Sequence, residues 1–329
     1  MGIKIIGTGS YVPDKVLTNH DLEKMVDTSD EWIRTRTGIV ERRIASDNEA
    51  SSDMAYKASV RAMEFARIKP DDLDLIVVAT ITSDRITPST ACILQSKLKA
   101  YNAACFDLQA ACTGFLYSLE IVNALMSTNP TYRKALIIGV EKLSMLTDWK
   151  DRNTCVLFGD GAGAVILEKR AGKHDIGGIL ASKLASNGSY NDLIKVPAGG
   201  SAIPTSPETI KKRMHYLSME GQEVFKLAVN EMAKACQDVL SRAKVDISEV
   251  RWLIPHQANL RIIHAVGKKL EIPSEKVYIN VHMYGNTSAA SVVIALDEIV
   301  RTGKIDRGDY VLLTAFGAGI TWGANLLRW

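Results

Sequence analysis

Short unbroken apolar runs alternate along this chain with longer stretches whose apolar residues recur at helical spacing. The first kind reads as strands buried on both faces, the second as amphipathic helices. A helical stretch at 54–68 leads to an apolar run at 73–80. A second run at 103–108 reads as a buried strand, and a helix is expected to follow from residue 113 to 126. A third run covers 134–140. The plan then repeats: a helix over 219–243, strands at 250–255 and 277–281, a helix over 288–302, and strands at 310–316 and 322–327. Corresponding segments lie roughly 175 residues apart. Residues 1–7 read as a first strand, and the Gly-, Ser-, Asn- and Pro-rich stretch 185–207 as a long surface loop. Strands alternating with helices predict an α/β protein with mostly parallel sheets. Two such halves, residues 1–170 and 171–329, predict a layered, pseudo-dimeric fold with its site where the halves meet.

Composition narrows the possibilities. With 329 residues, 47% of them hydrophobic, the chain can bury a large core. A net charge of +3 leaves no overall footprint for nucleic acid, so any basic patch must be local. No apolar run approaches the length of a membrane span, and the N-terminus lacks a signal-like apolar region. Ile6 breaks the myristoylation pattern. The five cysteines show no C-x-x-C pair and no metal-ligand spacing. Their odd number fits a reducing compartment, and a soluble cytoplasmic protein is expected.

Candidate chemistry centres on Cys112. It falls between the run at 103–108 and the helix that follows, close to unpaired backbone N–H groups and the positive end of a helix dipole. Small neighbours (Ala110, Ala111, Gly114) would leave the sulfur open. That setting suits a nucleophilic thiolate; a buried, inert cysteine has the same local pattern. The second half has polar turns at related places. His256 follows the strand 250–255, Asn286 precedes the helix 288–302, and Gly317-Ala318-Gly319 follows a strand end. Of the other histidines, His20, His174 and His215 lie in polar stretches and His264 in a helix, so His282, near Asn286, is the one competitor for an imidazole role. Gly159-Asp160-Gly161-Ala162-Gly163-Ala164 has strand-like flanks on both sides and reads as a turn between strands, not as a dinucleotide loop. Thr28 and Glu31 form a capping-box pattern, with Gly38 as the stop. Trp32 and Arg36 then share a helix face. They could hold an adenine and a phosphate, or be a partly buried Trp beside a solvated Arg.

Taken in order, these motifs resemble the β-ketoacyl-acyl carrier protein synthase III family, within the thiolase superfamily. The likeness spans nearly the whole chain. It rests on Gly7-Thr8-Gly9-Ser10-Tyr11-Val12-Pro13, Asp30-Glu31-Trp32-Ile33, Ala110-Ala111-Cys112-Thr113-Gly114-Phe115 and the glycine run at 159–164. Pro255-His256-Gln257-Ala258-Asn259, Tyr284-Gly285-Asn286-Thr287-Ser288-Ala289-Ala290-Ser291 and Ala315-Phe316-Gly317-Ala318-Gly319 complete it. The resemblance implies duplicated thiolase-like halves in an α-β-α-β-α arrangement. It implies a Cys112, His256, Asn286 constellation, with His282 outside it, and an oxyanion site made by the backbone N–H groups of Cys112 and Ala318. Thr28, Trp32, Arg36 and Arg152 match positions that cradle CoA. Arg261, Lys268 and Lys269 match a carrier-protein docking face; residues 261 and 268, two turns apart, do share a helix face. Thr87 and Phe316 match acyl-pocket positions, and Arg85-Ile86-Thr87-Pro88-Ser89 would reach across a homodimer. Thr87 is small, which would leave room for primers longer or more branched than acetyl. The implied reaction joins an acyl-CoA primer to malonyl-acyl carrier protein with loss of CO2, through an acyl-Cys112 intermediate. It needs no cofactor, no nucleic acid and no membrane. A specialised-metabolite ketosynthase or acyltransferase on the same fold, or a noncatalytic acyl-binding subunit, are the alternatives.

Overall fold

In a computed structural model that describes residues 2–170 and 177–329, the apolar runs become the inner strands of two mixed sheets. The first sheet holds β1 (Gly2–Tyr11), β4 (Leu75–Ala79), β5 (Ala104–Leu108), β6 (Lys134–Lys142) and β7 (Asp160–Arg170), in the order β1-β7-β6-β4-β5. The second holds β8 (Gly178–Ser186), β11 (Val250–Pro255), β12 (Tyr310–Gly317) and β13 (Thr321–Arg328), in the order β8-β13-β12-β11. Two short ladders pair β2 (Val16–Thr18) with β3 (Glu41–Arg43), and β9 (Ile194–Lys195) with β10 (Ser218–Met219). The two large sheets therefore repeat one plan, as the half-length repeat predicts.

Side-chain alternation explains the layers. Leu75 and Val77 point into the middle of the molecule, while Ile76 and Val78 point to the outer face. The middle layer consists of the helices Gly114–Thr128 and Ala290–Arg301. Phe115, Leu116, Leu119, Val292, Val293 and Leu296 pack there against Val77 and Ile137 of one sheet and Ile254 and Leu313 of the other. Each such fully buried side chain contributes about 1.5–3 kcal/mol of transfer free energy. The helices Ser51–Ala66 and Thr90–Leu98 cover the first sheet outside. Gly221–Ala243 and Leu260–Lys269 cover the second. The result is the expected α-β-α-β-α stack.

Two facing glycines set how closely the helix Ala290–Arg301 approaches the first sheet. Gly139 of β6 pairs with Gly163 of β7. A Cβ at Gly139 would run into the backbone of Ala289, and one at Gly163 into Val293 and the Ile294 amide. The glycine run at 159–164 is thus mostly inside β7, and not a turn between strands; what precedes it is a short helix, Arg152–Cys155. Its small residues form a trough for a helix.

Other expectations need correction. The sheets are mixed: β4 runs parallel to β5 and β6, but β1, β6 and β7 pair antiparallel, as do β12, β13 and β8. The turn from β12 to β13 is too short for the crossover that parallel pairing needs. The strand at 103–108 is an edge strand; Ala104 is exposed and the rest of β5 only half-buried. The strand expected at 277–281 shrinks to one bridge, Leu253 to Val277. Beyond it, Gln257 Oε1 accepts the Asn280 and Val281 N–H groups, so a side chain replaces the ladder. Residues 185–207 are mainly loop, interrupted by β9. His174 lies outside the described residues.

Candidate active site

The turn before the helix Gly114–Thr128 carries Cys112, in a single 3-10 turn, Ala111–Thr113. Ala111 adopts a left-handed φ of 47°, a sparsely populated region for a residue with a side chain. The hairpin between β12 and β13 closes on this turn. A Cβ at Gly317 would sit 2.7 Å from the Cys112 nitrogen, so the close approach requires glycine there. Thr321 Oγ1 lies 2.6 Å from Thr113 Oγ1 and donates to the Ala110 and Ala318 carbonyls, both at 3.2 Å. The backbone of Ala318 is thereby tied beside Cys112. Phe316, one residue before Gly317, is buried.

The turn before the other middle helix brings the remaining groups. Asn286 is fixed from both sides: its N–H donates to the Leu157 carbonyl at 2.8 Å, and its own carbonyl accepts from Gly159 N–H at 3.0 Å. Its Oδ1 accepts the Ser288 N–H at 2.9 Å, and its Nδ2 donates to no partner among the described residues. The Cys112 turn lies against this segment: a Cβ at Gly114 would come within 3.7 Å of the Ala289 Cβ, and Ser288 acts to lower the Cys112 pKa. One turn further, Ser291 Oγ lies 2.6 Å from His256 Nδ1 and accepts the Gln257 N–H at 3.3 Å. Where the Ser291 hydroxyl donates to Nδ1, the neutral ring carries its proton on Nε2. The segment 286–291 thus gathers Cys112, His256 and Asn286. His282 is exposed on a separate short helix and takes no part.

The electrostatics differ from the sequence expectation in one respect. Cys112 keeps part of its surface open. Its thiol is nonetheless deep, and burial pushes the pKa up to about 12 despite the opposing effect of Ser288. The helix begins at Gly114, two residues on, and the Cys112 backbone N–H acts against the burial. Burial also holds His256 down at about 3, so its imidazole is neutral at any ordinary pH. The buried Glu141, at the end of β6, is pushed up to about 7 by burial, which hydrogen bonds from Thr82, Ile81, Ser288 and Thr80 oppose. Sequence reasoning gave Glu141, Ser288 and Ser291 no role. The one legible signal was a carboxylate closing an otherwise apolar strand.

A surface site lies nearby. The helix Asp30–Thr37 is capped by Ser29, whose Oγ accepts the Trp32 N–H, and it ends at Gly38 with φ 76°. Thr28 is therefore not the cap; its Oγ1 is buried without a hydrogen-bond partner among the described residues. Trp32 is flanked by two guanidinium groups, Arg152 at 4.5 Å and Arg36 at 5.9 Å from the ring centroid. Asn259 Nδ2 donates to the Arg36 carbonyl at 3.1 Å and its Oδ1 caps the helix Leu260–Lys269. That helix buries Ile262, Ile263 and Val266 and exposes Arg261, Lys268 and Lys269. The loop bearing Thr87 projects elsewhere, with Thr87 exposed and Ile86 98% exposed at its tip.

Comparison with known proteins finds relatives that match the chain nearly end to end. Family models for 3-oxoacyl-[acyl-carrier-protein] synthase III match residues 106–188, and for its C-terminal part residues 240–329. A β-ketoacyl-[acyl-carrier-protein] synthase III from Caldanaerobacter subterraneus subsp. tengcongensis is 55% identical over 326 residues, 99% of this chain and 97% of its own. The crystal structure of 3-oxoacyl-[acyl-carrier-protein] synthase III from Aquifex aeolicus superposes with a TM-score of 0.92 at 49% identity, covering all of both chains. The Thermus thermophilus enzyme of the same name gives a TM-score of 0.91 at 40% identity, covering 99% of each chain. The chain belongs to the 3-oxoacyl-[acyl-carrier-protein] synthase III family, with its thiolase-like fold.

Proposed function

We propose that the protein initiates fatty acid synthesis by condensing an acyl-CoA with malonyl-acyl carrier protein, using Cys112 as acyl acceptor. The observation that carries this reading is the gathering of Cys112, His256 and Asn286 by the single segment 286–291. The sulfur attacks the acyl thioester, and the backbone N–H groups of Cys112 and Ala318 stabilise the oxyanion. CoA leaves and the malonyl thioester enters. His256 Nε2–H and Asn286 Nδ2–H donate to its carbonyl and hold the enolate that forms as CO2 departs. The enolate carbon then attacks the acyl-Cys112 carbonyl and releases the 3-oxoacyl product on the carrier protein. A neutral His256 suits a donor whose proton never leaves.

Trp32 with Arg36 and Arg152 offers an aromatic face and cations for the adenine and phosphates of CoA. Thr28, whose Oγ1 is buried without a hydrogen-bond partner among the described residues, borders that site. Arg261, Lys268 and Lys269 form a local cationic face for an acidic carrier protein. We read the working unit as a cytoplasmic homodimer: a half-buried edge strand β5 and an isoleucine left 98% exposed both ask for a covering surface. Thr87, beside Ile86, would then line the partner's acyl pocket, with Phe316 on the near side. Its small size favours primers longer or more branched than acetyl.

Intact mass tests the reading directly. Mixed with acetyl- or isobutyryl-CoA, the protein should gain one acyl group on Cys112. On adding malonyl-acyl carrier protein, that mass should vanish and the carrier should emerge as its 3-oxoacyl form. A stable acyl adduct on another cysteine, or no carrier product, would refute the assignment. Light scattering at micromolar concentration should give twice the chain mass. Thr87→Phe should shift kcat/KM from isobutyryl- towards acetyl-CoA.

A further inference from the structure

Away from the site, the fold brings two cysteines together. Cys92 lies in the first turn of the helix Thr90–Leu98, and Cys105 in the neighbouring strand β5. They are 13 residues apart in sequence, yet their sulfurs stand 3.1 Å from each other. Both are half-buried. Helix and strand are fastened on either side of this contact. Asp107 accepts the Thr90 and Ala91 N–H groups, each at 2.7 Å, and Gln95 Nε2 donates to the Ala103 carbonyl at 2.7 Å. Ser89 Oγ accepts the Cys92 N–H at 3.2 Å and closes the first turn. Ala91, Leu94 and Leu98 pack on the same outer face of the sheet that Cys105 joins. The two sulfurs are therefore held face to face by a helix and a strand, and not by a loop. The other three cysteines differ. Cys155 and Cys236 are buried. The polar and charged neighbours of Cys112, Cys155 and Cys236 include no second sulfur among the described residues.

We propose that Cys92 and Cys105 are an oxidisable thiol pair, which a low-molecular-weight disulfide closes into a reversible bond within the chain while Cys112 stays a free thiol. The step balances as thiol–disulfide exchange. The Cys92 sulfur gives its proton to water and attacks one sulfur of the small disulfide. The bond between the two small sulfurs breaks, and the leaving sulfur keeps the electron pair and takes up a proton. The Cys105 sulfur then gives up its proton and attacks the Cys92 sulfur of the mixed disulfide. The second small thiol leaves in the same way. Two protein thiols are oxidised, and one small disulfide is reduced to two small thiols. Burial, with Cys92 and Asp107 beside it, raises the Cys105 pKa, so the first attack falls to Cys92 and proximity drives the second. Proximity is also what selects this pair. A mixed disulfide on Cys92 meets a second sulfur at contact distance, an effective concentration that no thiol in solution matches. A mixed disulfide on Cys112 would meet none, and the small thiol would reverse it. A second copy of the chain covering β5 would leave the bond intact, since both sulfurs belong to one chain. It would alter only how fast the oxidant arrives.

The test needs only the folded full-length chain. It is brought to equilibrium in mixtures of mercaptoethanol and hydroxyethyl disulfide, quenched in acid, and its free thiols are alkylated. Intact mass should show the loss of two hydrogens and two fewer alkylated thiols, both reversed by dithiothreitol. Cleavage after Lys97 and Lys99 separates the two cysteines unless they are bonded, so the joined peptide identifies the bond. Across the mixtures the closed pair should exceed mixed disulfide on Cys112 by at least about tenfold, and Cys112 should remain open to alkylation. Cys92→Ser and Cys105→Ser should each abolish the loss of two hydrogens; either one carries the control if the other fails to fold. Three results overturn the proposal. The pair stays reduced in the most oxidising mixture while the chain remains folded. A mixed disulfide persists on Cys92 or Cys105 without the bond closing. Cys112 is modified before the pair is.

Discussion

The two halves of the molecule build the same turn and put it to different uses. Each leads a short left-handed element into a middle-layer helix: Ala111 at φ 47° before Gly114–Thr128, and Ser288 at φ 48° before Ala290–Arg301. In the first half the turn carries Cys112, the acyl acceptor proposed above. In the second it carries the Asn286 amide and the Ser288 and Ser291 hydroxyls. The outer elements diverge in step. The first half keeps a fifth strand, β5, at its edge, whereas the second reduces the equivalent to one bridge. In place of that strand, Tyr278, Asn280 and Tyr284 all hydrogen-bond Glu298, and Gln257 holds the Asn280 and Val281 amides. A side-chain network stands where the first half has a strand. Duplication therefore supplies the scaffold, and the site arises where the copies differ.

The largest test of that asymmetry removes the nucleophile. Cys112→Ser should lower acyl loading on the order of a thousandfold or more, read by mass from acyl-CoA. Loading that survives would dissolve the distinction between the halves. Next, Asn286→Ala should leave loading within about threefold while CO2 release from malonyl-acyl carrier protein falls about 100- to 1,000-fold. Equal damage to both steps would mean that the second turn does not have a separate duty.

Smaller effects bear on how the halves are held together and how they respond to acid. Gly139→Ala should cost about 1–3 kcal/mol of stability, because the new methyl meets the Ala289 backbone; thermal unfolding reads it. His256 is held near 3 in the folded state against an ordinary value of 6.5. The unfolded chain therefore protonates first, and stability present above pH 6.5 is lost as the pH falls towards 3. Glu141 acts in the opposite sense: raised from 4.5 to about 7, it favours the folded state at low pH and loses that advantage as the pH rises. Comparing urea unfolding of wild type and His256→Gln at pH 5 and pH 7 isolates the histidine; the variant should lose less stability at pH 5. The smallest effect belongs to the surface. Lys268→Glu should weaken binding of an acidic carrier protein several-fold, less so as salt rises, with loading from acyl-CoA untouched.

Much of this was legible in the residue pattern, for physical reasons. Runs such as 134–140 declare themselves because a strand buried on both faces has no polar side. Cys112, His256 and Asn286 stood at the ends of recognisable elements. The cap of the Trp32 helix was misread by one residue, because Thr28 and Ser29 are chemically equivalent candidates until the backbone turns. The glycines of β7 were misread because composition alone does not distinguish a turn from a surface cleared for a helix. Glu141 and Ser291 escaped notice for a different reason. Their roles are defined by partners far along the chain, Ser288 and His256, and no local periodicity encodes such a pairing.

The glycine trough also bears on how the chain is completed as it is synthesised. The helix Ala290–Arg301, buried along most of its length, fills a space between sheets whose other walls are made much earlier. A nascent chain that has finished β7 already displays the nucleophile turn and an open apolar trough over Gly139 and Gly163. In the folded protein the helix Ala290–Arg301 fills that trough, so the core of the first half is completed by a segment made late in synthesis. Truncation before residue 290 should therefore remove not a peripheral segment but the keystone of both halves.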